Sequence, residues 1–210
     1  TEQCELNSLG VWSTGVSLVD INGDEWLDIY ICKSGKPDGD KRHNELFINQ
    51  GLSENGNYPV FKEMAKTYRI ADYGLSTHAA FFDFDKDNDL DMYLLNNSIK
   101  SIGNYDLSKD QRLVRDPNGG NKLYRNDGGS FTDVSESAGI YGSAIGFGLG
   151  VTIGDINKDG WQDIFVSNDF FEKDYLYLNN KDGSFTEALE NTIGEISMGS
   201  MGADMADINN

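Results

Sequence analysis

Basic residues are scarce in this chain. Seventeen Lys and Arg stand against 35 Asp and Glu, for a net charge of −18 over 210 residues. Such a balance repels nucleic acid and anionic lipid, so neither is expected as a partner. Cysteine is nearly absent, and Cys4 and Cys32 cannot define a disulfide scaffold. Cys32 closes an apolar strand and reads as a small buried residue rather than a reactive thiol. A Cys4–Cys32 bridge stays open for an oxidising compartment. The two histidines, His43 and His78, form no zinc-type cluster. There is no G-x-S-x-G elbow and no phosphate-cradling Gly-Lys loop, so no catalytic residue is assigned. No apolar run reaches the 18 residues or more that spanning a bilayer takes, and no membrane insertion is expected. No signal-like segment opens the chain, which is also compatible with a processed start.

What the chain has in excess is Asp, and it is patterned. An alternating loop recurs as Asp20-Ile21-Asn22-Gly23-Asp24, Asp83-Phe84-Asp85-Lys86-Asp87, Asp155-Ile156-Asn157-Lys158-Asp159 and Asp207-Ile208-Asn209. The first three add Asp28, Asp91 and Asp163 at the ninth position. Oxygens at positions 1, 3, 5 and 9, with a backbone carbonyl at 7, suit Ca²⁺, which takes 6–8 oxygen ligands in forgiving geometry. The candidate ligands are therefore Asp20, Asn22, Asp24, Trp26 and Asp28; Asp83, Asp85, Asp87, Asp89 and Asp91; Asp155, Asn157, Asp159, Trp161 and Asp163; and Asp207 with Asn209 in the fourth copy. Trp26, Asp89 and Trp161 contribute through the carbonyl. An EF-hand needs a bidentate Glu at position 12. Ile31, Leu94 and Val166 stand there, so that architecture is excluded. The loops run into stretches rich in aromatic and β-branched residues, such as Asp28-Ile29-Tyr30-Ile31, which read as buried strands.

The loops belong to a longer repeat, with first Asp residues 63, 72 and 52 positions apart. A Gly sits five residues before the first Asp (Gly15, Gly150, Gly202), replaced by His78 in the second copy. A short strand precedes each loop: Val16–Val19, Ala79–Phe82, Val151–Gly154 and Ala203–Ala206. Beyond the second strand come a third (Glu45–Asn49, Lys122–Asn126, Tyr175–Asn179) and a half-polar fourth (Val60–Glu63, Ser130–Asp133, Ser184–Glu187). Four short antiparallel strands repeated in tandem are the blade of a β-propeller. The expected fold class is all-β: three four-stranded blades over about 12–72, 73–142 and 146–196, and the start of a fourth at 198–210.

This unit resembles the FG-GAP/VCBS repeat family, whose best-known members are the integrin α-subunit propellers. The resemblance is carried by Phe147-Gly148, by the D-x-[DN]-x-D-x-x-x-D loops and by the N-x-L-Y-x-N…F-T-[DE] half, with the bacterial branch nearest. It covers roughly residues 10–210. It implies a calcium-stabilised propeller with about one Ca²⁺ per complete blade, in an extracellular, cell-surface or periplasmic setting, acting as a binding or scaffold module for protein or glycan ligands. The alternative is the propeller part of a secreted polysaccharide-degrading lyase or hydrolase. A third reading is assembly with a membrane-complex partner. Closure takes about 4–8 blades, so further blades are expected from the rest of the protein or from other chains. At position 6 the third loop has Gly160 where the others have Glu25 and Asn88. If φ is positive there, Glu25 costs about 1–2 kcal/mol, and the first site binds most weakly.

Alternation of connections places the long insertions, Ser34–Asn44 and Asn97–Asn121, on the face opposite the Asp loops, where a ligand is expected. They carry Lys36, Lys41, Arg42, Lys100, Lys109, Arg112 and Arg115. An anionic ligand and plain surface hydrophilicity both account for them, and the second reading leads. Phe170 and Phe171 suit sugar stacking or plugging between blades, with plugging favoured. Tyr73, Tyr105 and Tyr141 pose the same question.

Overall fold

The computed structural model describes residues 3–36, 38–98, 100, 102–106, 108 and 110–208. Twelve strands form three separate four-stranded antiparallel sheets. The first contains β1 (Trp12–Val19), β2 (Asp28–Ser34), β3 (Glu45–Leu52) and β4 (Pro59–Glu63). The second contains β5 (Ser76–Phe82), β6 (Asp91–Asn96), β7 (Lys122–Asn126) and β8 (Phe131–Asp133). The third contains β9 (Gly148–Gly154), β10 (Asp163–Asn168), β11 (Tyr175–Asn179) and β12 (Phe185–Glu187). Each sheet keeps its strands in chain order, which is the up-and-down blade of a partial propeller. Two four-residue helices follow the outermost strands: α1 (Ala65–Tyr68) and α2 (Leu189–Thr192).

The recurrent residues of the repeat each satisfy a backbone group that a short blade would otherwise leave open. Asn44, Asn121 and Asp174 accept the N–H of Lys33, Asn96 and Asn168, at 2.8, 3.0 and 2.8 Å, closing the end of the second strand. At the other end Asn49, Asn126 and Asn179 donate to the carbonyls of Leu27, Leu90 and Gln162 and accept an N–H from the following turn. Phe61, Phe131 and Phe185 are buried anchors of the fourth strand. Glu63, Asp133 and Glu187 then receive the N–H of Ala65, Ser135 and Leu189, turning the chain toward the next blade.

The hydrophobic core lies between blades. One cluster joins the first and second sheets through Tyr30, Leu46, Ile70, Ala79, Met92 and Leu94; the other joins the second and third through Phe84, Tyr93, Leu123, Ile164, Val166 and Tyr177. The inner strands β1, β5 and β9 stand side by side and follow one register. Residues four and two places before each loop face the preceding blade: Ala79 and Phe81 in β5, Val151 and Ile153 in β9. Their counterparts in β1, Val16 and Leu18, are 55 and 64 % exposed.

Ala203–Ala206, expected as the first strand of a fourth blade, joins no sheet, because no second strand lies beside it among the described residues. It nonetheless sits in the inner-strand register, where Thr152 Oγ1 donates to the Ala203 carbonyl at 2.8 Å. Cys4 and Cys32 are not bridged.

Candidate functional site

Each Asp loop is built as a nest of carboxylate-to-backbone bonds. Asp20 accepts the N–H of Asp24 and Glu25 at 3.0 and 2.8 Å. Asp83 accepts Asp87 and Asn88 at 3.2 and 3.1 Å, and Asp155 accepts Asp159 and Gly160 at 2.9 and 2.7 Å. Asp24, Asp87 and Asp159 accept from Trp26, Asp89 and Trp161. In these three loops the bonds go with left-handed backbone at two positions. Position 6 has φ of 70, 73 and 86° at Glu25, Asn88 and Gly160, and position 4 has 70, 62 and 60° at Gly23, Lys86 and Lys158. The strain at Glu25 follows from the sequence. That at Lys86 and Lys158 does not, since Lys is not a residue that announces positive φ.

The ninth-position residues, Asp28, Asp91 and Asp163, are fully buried. One oxygen of each takes the N–H of the second loop residue (Ile21, Phe84, Ile156), and the other takes that of the third-strand Asn (Asn49, Asn126, Asn179). They tie loop, second strand and third strand together before any ion is considered.

The three loops differ in how their remaining carboxylates are arranged. In the second, Asp83, Asp85 and Asp91 each bring an oxygen within 4.8 Å of the others, a grouping found at neither of the other loops among the described residues. Asp85 Oδ1 is buried with no hydrogen-bond partner. Burial, and then Asp87, push the Asp85 carboxyl above its usual range. Asp91 is pushed up to about 7, chiefly by burial and against two backbone hydrogen bonds. Hard oxygen donors held this close and costly to ionise suit a divalent cation. In the first and third loops an Asn replaces Asp85. Asn22 and Asn157 donate their amides to Asp24 and Asp159, at 2.9 and 3.0 Å. Asp159 also faces Lys181 at 3.2 Å, and its carboxyl is held low, first by the Trp161 N–H. Lys86 sits 4.4 Å over the Trp161 ring, bridging two loops. Asp207 of the fourth copy is exposed, 3.5 Å from Lys158, and Asn209 lies outside the described residues.

On the opposite face, most of the expected cations are spent on the protein itself. Arg42 is buried and donates to the carbonyls of Gly35 and Tyr73 and to Asp38. Lys36 pairs with Asp38, and Lys100 lies 4.4 Å from the Tyr105 ring centroid. Arg112 forms a two-pronged pair with Glu172 at 2.7 and 3.2 Å, fastening the second insertion to the third blade. Arg115 donates to the carbonyls of Ile140 and Asn121. Lys41 is exposed, and Lys109 lies outside the described residues. The insertion cations thus staple loops to blades more than they offer charge. Phe171 meets Tyr105 edge-on at 6.3 Å and Phe170 meets Phe147 at 4.7 Å, yet the two stay 43 and 60 % exposed. Tyr105 and Tyr141 have packing roles, through the Ala144 carbonyl and through Tyr175 and Tyr177. His78 is half-buried in β5, and burial lowers its pKa.

Sequence reasoning missed Lys66 and Arg69. They line a pocket with His43, Ala71 and Tyr73 on this same face. The signal was available in the repeat alignment, where Glu136 and Gly139 take their places.

The family of FG-GAP-like repeats matches residues 20–94, 109–166 and 155–210. No curated protein matches the chain. These matches run from the first Asp loop through all three sheets, each segment taking in parts of the blades whose inner strand leads into a braced Asp loop, and the chain belongs to the FG-GAP-like repeat family.

Proposed function

We propose that this chain is part of a calcium-stabilised propeller that serves as a binding or scaffold module for protein or glycan ligands. The observation that carries the reading is the gathering of Asp83, Asp85 and Asp91 with an unpartnered buried oxygen on Asp85. Without a cation, these carboxylates repel one another in a partly desolvated loop. With Ca²⁺, the repulsion becomes coordination, and the hinge between β5 and β6 stiffens. The second loop leads, and the first and third, with Asn at position 3, bind more weakly, at about one ion per complete blade. Extracellular modules hold Ca²⁺ at about 10⁻⁴–10⁻³ M, which suits a secreted, cell-surface or periplasmic location. The ligand face is the end opposite the loops, where the insertions project. The exposed Val16 and Leu18 take a further blade, from the rest of the protein or from another chain, in the manner of Ala79 and Phe81.

Calorimetric melts in calcium and in chelator test the metal. Binding to the folded state alone raises stability by about 2.7 kcal/mol at a hundredfold excess over Kd. Asp85→Asn should abolish most of the gain. A melting temperature indifferent to calcium overturns the proposal.

A further inference from the structure

The chain is acidic throughout, yet one pocket is lined by cations. It has a volume of about 250 Å³ and is walled by His43, Lys66, Arg69, Ala71 and Tyr73. His43 comes from the β2–β3 insertion and the others from the link between β4 and β5, so the pocket opens on the face away from the Asp loops. Lys66 and Arg69 are exposed and make no ion pair with any described residue, unlike the insertion cations Arg42 and Arg112. Tyr73 is 49 % exposed, and its backbone is fixed from below by buried Arg42, which donates to its carbonyl at 2.6 Å.

Comparison among the repeats isolates these charges. The turn after the fourth strand closes identically in the first two blades: Ile70 N–H donates to Ala65 O and Ile140 N–H to Ser135 O, both at 2.9 Å. In that frame Lys66 corresponds to Glu136 and Glu190, and Arg69 to Gly139 and Ile193. The corresponding pocket of the second blade holds Asp133 and Glu136 beside Arg115. Gly139 has φ of 77° and Arg69 has φ of 64°. An arginine therefore occupies a left-handed helix-end position that glycine fills without strain. Its guanidinium meets no carboxylate of a described residue in return. Framework needs account for neither substitution.

We infer that this pocket binds a carboxylate-bearing sugar, a uronate unit of an acidic glycan. The inference rests on the binding-module reading, whose ligand face it shares. A planar guanidinium pairs a carboxylate through two parallel hydrogen bonds, Lys66 adds a second positive charge, and the half-exposed Tyr73 ring offers an apolar face to the pyranose C–H groups. The volume admits one sugar unit, which favours a glycan terminus or a single acidic residue of a chain over a flat protein surface.

Isothermal titration of the 210-residue chain with tri-galacturonate, neutral galactotriose and sodium sulfate tests this. Tri-galacturonate should bind, galactotriose should not, and sulfate should compete weakly. Arg69→Gly restores the residue of the second blade and keeps the turn; it and Lys66→Glu should each weaken tri-galacturonate at least tenfold. Lys62→Ala, an exposed change outside the pocket, should leave binding intact. Unaltered melting of Arg69→Gly shows that the loss is not unfolding. Equal binding of acidic and neutral sugars, or tri-galacturonate binding indifferent to both variants, overturns the pocket and leaves the module reading standing. An acidic peptide binding through Arg69 in place of the sugar overturns the glycan assignment. A chain that binds nothing across glycan and protein arrays overturns both.

Discussion

Ser17 Oγ donates to the carbonyl of Ala79 at 2.6 Å, from the inner strand of one blade to that of the next. Thr152 repeats the contact on Ala203, at the same places in the repeat. One turn of register away, Thr14 bonds Ser76 and Thr77 bonds Gly148. Near the axis the strands are too close for large side chains, so short hydroxyls fasten neighbour to neighbour.

Ser17→Ala, which copies Ala80 of the second blade, should lower stability by about 0.5–1.5 kcal/mol, the worth of one such bond. Urea unfolding measures it.

Gly15→Ala should cost more. A Cβ there would lie 2.3 Å from the Thr77 carbonyl oxygen, backbone that cannot yield cheaply. A loss of about 1–3 kcal/mol is expected for overpacking, with the midpoint shifted and the slope unchanged in the same experiment.

Glu25→Gly should gain stability. Glu25 holds φ at 70°, and relieving about 1–2 kcal/mol of left-handed strain outweighs the added freedom of the unfolded glycine. The melting temperature should rise, and the first loop should take up calcium more tightly.

Burial holds the His78 pKa below its ordinary value. The unfolded chain then binds the extra proton first as pH falls from about 6.5. Stability contributed above that pH is lost on acidification, until the folded imidazole protonates in turn. The difference in stability between the native chain and His78→Gln should shrink from pH 7.5 to pH 5.5, and a constant difference would count against the assignment.

Cys32 is buried, and burial pushes its thiol up to about 12. Cys4 is only partly buried. Iodoacetamide at pH 8 should alkylate Cys4 within minutes and Cys32 only in denaturant, as peptide mass spectrometry would read. Cys32→Ser should destabilise by burying a hydroxyl beside Tyr30.

The sequence alone determined the blades and their loops. Tandem Asp spacing, alternating strands and the recurring Asn and Phe positions are local signals, and each serves a backbone group only a few residues away or on the adjacent strand. The recurrence of Asp28, Asp91 and Asp163 is legible for that reason, while their part in bracing loop, second strand and third strand through both carboxylate oxygens came from the structure. What only the tertiary structure decided is how side chains far apart in sequence spend their charge. Arg112 finds Glu172 sixty residues on, Arg42 finds the Tyr73 carbonyl, and insertion cations that read as plain surface hydrophilicity become internal fasteners. Lys66 and Arg69 are left to face solvent beside His43 and Tyr73. The separation of the three Asp loops likewise turned on one side chain. Asp85 adds a partly buried carboxylate with one unpartnered oxygen where Asn22 and Asn157 close a hydrogen bond on their own loop. Periodicity records which residues share a strand. The free energy of a charge depends on what surrounds it in three dimensions, and the order of residues along the chain does not carry that.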